Sequence, residues 1–218
     1  MLCCAGTAAH AQLGASVTAV SDYRFRGVSL SDHRPALQAA VNYDATGGWY
    51  LGASLSQVAL NRGRRDIGVV GYAGYVIETA KGPSWDLGAV ALHFAGASSY
   101  DYFETYAGLV ADRWNARVYL SPDYFGRGVA SAYLECNGNV PLGEQMRLLG
   151  HAGVLAGHGG RADSDAGKAR LDMRLGIGYG RGAADLQIAW VAASPDGPYP
   201  AVYDARRTAW LFSASYSF

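Results

Sequence analysis

Lysine is almost missing from this chain: Lys81 and Lys168 are the only two among 218 residues. Long apolar stretches are missing too, since no run of eighteen or more residues is both uncharged and apolar throughout, as a membrane helix requires. Net charge is absent as well, with 18 Lys+Arg against 18 Asp+Glu, which leaves no basic footprint for a nucleic-acid partner or for anionic lipid. The chain has no Gly-x-Ser-x-Gly elbow, no His-x3-His pair and no cysteine cluster. Enzymes and metal sites built on those patterns are excluded, and neither a cofactor nor a metal is expected.

What is present is glycine (29 residues), tyrosine (15) and a half share of apolar residues. Glycine runs at about twice its usual share. This composition suits barrel strands better than amphipathic helices, and a chain of this length is expected to form one domain. The last segment makes the point most clearly. Thr208, Trp210, Phe212, Ala214, Tyr216 and Phe218 fall on one face, and Ala209, Leu211, Ser213, Ser215 and Ser217 on the other. A period of two with bulk on one side is a half-apolar β-strand. It resembles the closing strand of bacterial outer-membrane barrels, whose terminal aromatic is read by the barrel assembly machinery, so that machinery is an expected partner.

The same alternation recurs upstream. Leu13, Ala15, Val17 and Ala19 oppose Ser16 and Thr18, and the pattern runs on with Tyr23 and Phe25 opposing Asp22, Arg24 and Arg26. In the second half Leu134 and Cys136 oppose Tyr133, Glu135 and Asn137, and Leu171, Met173 and Leu175 oppose Arg170, Asp172 and Arg174. In all, twelve strands are predicted, with ten as the alternative because the turn at 140–144 and the sixth strand are weakly marked. Connections at 28–34, 61–65, 95–101, 122–128, 157–167 and 195–207 alternate with tighter ones at 45–48, 80–83, 112–114, 140–144 and 180–183. Alternating long and short turns are expected of a membrane barrel, and an even strand count puts both termini on the periplasmic side. Hydrocarbon tolerates no unpaired backbone, so the sheet must close. Twelve tilted strands give a backbone radius on the order of 12 Å, which side chains largely fill. The expectation is a closed all-β, antiparallel transmembrane barrel over 12–218, with a narrow or partly plugged lumen, in the outer membrane of a Gram-negative bacterium.

Residues 1–11 read as the remnant of a signal peptide, with Ala9-His10-Ala11 in the small-x-small form of a cleavage site. The segment is short for a full signal and lacks a basic start, which suggests an internal or truncated beginning. Its removal leaves Cys136 as the one mature cysteine, expected on an apolar strand face as a buried or lipid-facing hydrophobe.

Aromatics suggest two belts at the lipid interface. Trp49, Trp85, Trp114, Tyr216 and Phe218 lie beside the short turns or the terminus, while Tyr23, Phe25, Phe94, Trp190 and Tyr203 lie toward the opposite end.

One string is distinctive: Ser21-Asp-Tyr-Arg-Phe-Arg-Gly27, followed by Ser29, Ser31-Asp32 and Pro35-Ala36-Leu37-Gln38. With Ser121-Pro-Asp-Tyr-Phe-Gly126, Tyr133-Leu134 and the terminal Tyr216-Ser-Phe218, it resembles the TorF porin family of proteobacterial outer-membrane proteins. That resemblance implies an outer-membrane barrel with a transport role and transfers no mechanism. The first string places Asp22, Arg24 and Arg26 on the lumen face of the first strand, where Gly27 then releases the chain into an outer loop. Arg117, Glu135, Arg147, Arg170, Asp172 and Arg174 are predicted inward as well, together with Asp44 and Glu104. These charges either form a constriction that selects solutes or an ion-pair network that fills the lumen and ties strands together. More inward arginines than inward acids are predicted, which leans a pore toward anions.

Most of the weaker signals read as plain structure. Gly178, Gly180 and Gly182 sit at a turn between strands and form no dinucleotide loop. Asp163 and Asp165 offer too few carboxylates for a hard-cation cage. His33 and His93 are the candidates for a lipid-modifying enzyme, although neither sits in a recognised pattern. The reading is therefore a narrow porin-like channel for small polar or anionic solutes, with a non-conducting structural or adhesive barrel and a surface enzyme as the alternatives.

Overall fold

The computed structural model describes residues 11–60, 64–159, 169–195 and 207–218. The suggested cleavage segment through residue 10, the aspartates 163 and 165, Lys168 and Tyr203 all lie outside the described residues.

Twelve long strands form one closed barrel: β1 (Gln12–Val20), β4 (Ala36–Asp44), β5 (Trp49–Val58), β6 (Asp66–Ile77), β7 (Ser84–Phe94), β8 (Tyr102–Val110), β9 (Trp114–Ser121), β10 (Val129–Pro141), β11 (Met146–Gly159), β12 (Arg170–Arg181), β13 (Ala184–Ala193) and β14 (Thr208–Ser217). Two short strands, β2 (Arg24–Phe25) and β3 (Val28–Ser29), make a separate hairpin between β1 and β4. Every barrel strand pairs antiparallel with its neighbours, and β1 closes the ring, Val17 facing Ala39 on β4 and Tyr216 on β14. The count is twelve, and the turn expected at 140–144 occupies residues 142–145.

The alternation read from the sequence sorts the two faces of the wall. Leu13, Leu37, Leu51, Leu55, Leu171 and Leu175 are exposed on the outside. Ser16, Thr18, Gln38 and Asn137 sit on the opposite face of their strands. A wall that is apolar outside and polar inside inverts the pattern of a soluble barrel, and its apolar area far exceeds what a soluble monomer leaves uncovered. Cys136 is on the outer face, exposed. Trp49 (62% exposed), Trp85, Trp114, Tyr216 and Phe218 (77%) stand at the short-turn end of this surface. Trp210 faces Trp190 across the β13–β14 pair toward the other end, and exposed Phe103 stands at the same end.

The surplus of glycine and tyrosine has a structural reason. A Cβ at Gly52 would strike the ring of Tyr72, one at Gly88 the ring of Tyr106, and one at Gly153 the ring of Tyr133. In each case the phenol end of a tyrosine on the adjacent strand occupies the space that the glycine leaves open.

The interior is not evenly filled. Toward the end that bears the long connections, Leu30, Val58, Leu60, Leu92, Phe94, Tyr102, Tyr124, Phe125, Tyr133 and Leu155 form an apolar core inside the barrel. Tyr23 and Phe25 pack against it. This corrects the expectation that Tyr23, Phe25 and Phe94 belong to an interfacial belt. The reason is that Tyr23 and Phe25 lie on a segment that leaves the wall, and Phe94, at the last position of β7, points to the inner face. Tyr124 and Phe125 reach the core from the 3-10 turn Tyr124–Gly126, where Phe125 takes a left-handed backbone (φ 54°). Burying two such rings contributes about 1.5–3 kcal/mol each.

Candidate functional site

The charged string after β1 builds the site by folding inward. The wall strand ends at Val20; Ser21 still donates its backbone N–H to the Phe212 carbonyl (2.9 Å), and the chain then turns into the lumen. Arg24 pairs with Ser29 and Phe25 with Val28, leaving Arg26 (φ 47°) and Gly27 (φ 80°) as a two-residue turn. Two successive positive φ angles are those of a type I′ hairpin turn. Asp22, Arg24 and Arg26 therefore lie on an inward hairpin and not on the lumen face of the first strand. The alternation that suggested a longer strand belongs to β2 instead.

Asp22 knots the base of this hairpin. Its Oδ1 accepts from Ser29 Oγ (2.5 Å) and Ser31 Oγ (3.2 Å), and its Oδ2 from Arg24 Nε (2.8 Å), with His33 Nδ1 at 3.3 Å. Burial works against the ionised carboxylate, but the Ser29 and Arg24 hydrogen bonds and the Arg24 charge outweigh it and hold the carboxyl below its ordinary value.

Arg26 carries the hairpin to the far wall. Its Nη1 and Nη2 donate to Oε1 and Oε2 of Glu104 on β8 at 2.7 and 2.6 Å, a bidentate pair with Glu104 only 1% exposed. Four strands separate β1 from β8 one way round the ring and six the other, so the contact is made nearly across a diameter. The guanidinium also lies 4.1 Å from the Tyr133 ring centre and 4.8 Å from that of Phe25. At the tip, a Cβ on Gly27 would overlap Ala193 and Asp172, so only glycine lets the turn seat against β12 and β13.

Beneath the hairpin a cavity of 620 Å³ reaches to the turn at Ala111–Trp114. Most charges along it and on the adjoining inner wall are paired. Arg117 Nε donates to Asp86 (2.7 Å), Arg147 to Asp185 (2.7 Å), and His151 Nε2 lies 2.8 Å from Asp172, which also accepts from the Tyr133 hydroxyl. Buried Arg170 donates to the Pro195 carbonyl (3.3 Å). Two inward-facing residues of the cavity differ, whereas Asp112 and Arg113 line it from the exposed turn. Arg174 donates to the neutral Gln187 (2.7 Å) and leaves its Nε without a partner, and Glu135 accepts only from the Tyr119 hydroxyl (3.3 Å). No ion pair to either exists among the described residues.

All nine residues expected at a constriction thus face the interior, though on two different supports. Asp86 was missed, because Leu87, Gly88 and Ala89 give its strand little contrast between faces. Together with Asp185 it removes the expected excess of inward arginines over inward acids. His93 stands outside this group: exposed on the outer face, it pairs with Asp101 (2.6 Å), and no serine hydroxyl bonds to the imidazole of His93 or His33 among the described residues.

Solved structures of the same architecture exist at low identity. A KdgM porin matches with a TM-score of 0.59 at 12% identity, covering 94% of this chain and 99% of its own. A NanC porin matches at 0.56, also with 12% identity and coverage of 94% and 99%. The outer membrane protein Omp33 of Acinetobacter baumannii matches at 0.51 and 10% identity, with coverage of 95% and 98%. At such identities the likeness is one of fold. No curated protein matches the chain. A family model does match, over residues 4–218, and the chain belongs to that family, Gcw_chp, described as a bacterial protein of unknown function.

Proposed function

We propose that this chain is a porin-like channel of the Gram-negative outer membrane, narrow and selective for small polar solutes, with small anions among them. The observation that carries the reading is a cavity lined in part by charged and amide side chains, inside a wall whose outer surface is apolar between aromatic ends. Such a surface is stable only in hydrocarbon, and a polar lumen inside it is a path for solutes. The fold shared with KdgM, NanC and Omp33 supports it, and KdgM has been solved in complex with disordered oligogalacturonate, an acidic sugar chain. In this reading the termini and short turns face the periplasm, residues 1–11 belong to a secretion signal, and the β14 strand ending at Phe218 is the assembly machinery's handle. The resemblance to the TorF porin family agrees with it.

One observation favours a second reading. The inward hairpin and its apolar core occupy one end of the lumen, as they would in a non-conducting structural or adhesive barrel. Proteoliposome swelling separates the two: a channel admits erythritol and excludes a trisaccharide, whereas a sealed barrel admits neither.

A further inference from the structure

Arg174 and Glu135 are the partly buried charges of the cavity that form no ion pair among the described residues, since Arg117, opposite Glu135 across the β9–β10 pair, is committed to Asp86. Elsewhere along the lumen the fold matches opposite signs at 2.6–2.8 Å, as in Arg26–Glu104, Arg117–Asp86 and Arg147–Asp185. Partly buried charges without counter-charges are costly, and two of opposite sign on the wall of one cavity are complementary to a solute bearing both.

Their placement fixes the spacing. Glu135 of β10 is level with Gly153 of β11 and Asp172 of β12, and Arg174 lies two residues further along β12, level with His151 and Asn137. Strand spacing and rise put their Cα atoms about 12 Å apart. Both side chains face the cavity from the same third of the wall, Arg174 leaning toward Gln187 of β13 and Glu135 toward Tyr119 of β9, so a small molecule's length lies open between them. Around the gap His151 Nδ1 bonds Asn137 Oδ1 (2.7 Å), and Gln187 holds the Arg174 fork. The cavity, at 620 Å³, is within the range of small-molecule sites.

We infer that this cavity is a binding station for small zwitterions, whose carboxylate sits on Arg174 and whose ammonium sits on Glu135. The inference rests on the channel reading for the solute's entry, but the station itself can be tested apart from conduction. A planar guanidinium presents a fork to a carboxylate, and Glu135 offers its second oxygen to a donor. A neutral solute satisfies neither charge, and a solute of one sign satisfies only one.

The test is calorimetric titration of the folded barrel in detergent with three probes of matched chain length: 4-aminobutyrate, butyrate and butylammonium. The zwitterion is expected to bind about tenfold more tightly than either singly charged probe, the worth of one further charge-assisted contact. Glu135→Gln should lower 4-aminobutyrate to the level of butyrate, and Arg174→Gln should weaken both carboxylates while sparing butylammonium. Equal binding of the three probes, or an order that survives both substitutions, overturns the station. If Arg174→Gln does not fold, Glu135→Gln alone decides, through its selective loss of the zwitterion. Single-channel recording on the same preparation keeps the two readings apart. Selective binding without conductance removes the channel and keeps the station, and conductance without selectivity does the reverse.

Discussion

Arg26 crosses the barrel to Glu104, holding a hairpin that begins on β1 against a strand nearly opposite in the wall. The contact is bidentate, buried and stacked on Tyr133, so it anchors the obstruction in the lumen. Removing either side chain breaks a buried, bidentate charge pair.

Glu104→Gln or Arg26→Ala should therefore destabilise the docked hairpin by about 3–5 kcal/mol, whereas replacing both with apolar residues of similar volume should cost far less. A double-mutant cycle on urea unfolding in detergent measures this. Additive costs would show that the pair does not act as a unit.

Low pH should loosen the same hairpin at its base. The Asp22 carboxyl is held below its ordinary value of 3.8, so its contribution is fully present above that pH and is lost as pH falls through the lower folded value. Proteolysis within residues 21–35 should accelerate below about pH 4, and Asp22→Asn should be open at every pH. A cleavage rate flat from pH 6 to pH 3 would show that Asp22 does not hold the knot.

Glycine–tyrosine interlocks should be sensitive to single methyl groups. Gly153→Ala drives a Cβ into the Tyr133 ring and should cost about 1–3 kcal/mol. Gly71→Ala, where nothing lies within 4 Å, serves as the control. The temperature at which the folded band disappears in gel-shift electrophoresis reads both, and equal midpoints would argue against the interlock.

Much of the wall was legible in the sequence because a strand's period of two survives any disturbance that leaves its register intact. The twelve strands and the alternation of long and short turns follow from that period, as does the placing of Cys136 on the apolar face of its strand, where it is exposed rather than buried. Asp22 to Arg26 misled for the same reason, since a hairpin strand alternates as a wall strand does. The signal that separates them is Arg26-Gly27, a two-residue turn for which glycine supplies the second positive φ. Asp86 was hidden by a strand whose small residues blur both faces. The Arg26–Glu104 pair joins residues 78 apart in sequence, and no local pattern encodes a contact across a lumen. Arg174 and Glu135 were legible as inward charges, but their lack of an ion pair emerges only once the neighbouring inward charges are seen to be paired.

Two aromatic belts should mark the depth of insertion. Tryptophan fluorescence quenched by lipids brominated at defined depths should show Trp49, Trp85 and Trp114 near one interface and Trp190 and Trp210 nearer the other. Quenching that does not vary with bromine depth would contradict a spanning barrel.

The central claim is a solute path narrowed by the hairpin, and single-channel recording in planar bilayers tests it most directly. The wild-type protein should give small, resolvable steps, and Arg26→Ala with Glu104→Ala should give larger ones as the hairpin comes free of β8. The absence of steps in both proteins would contradict the account.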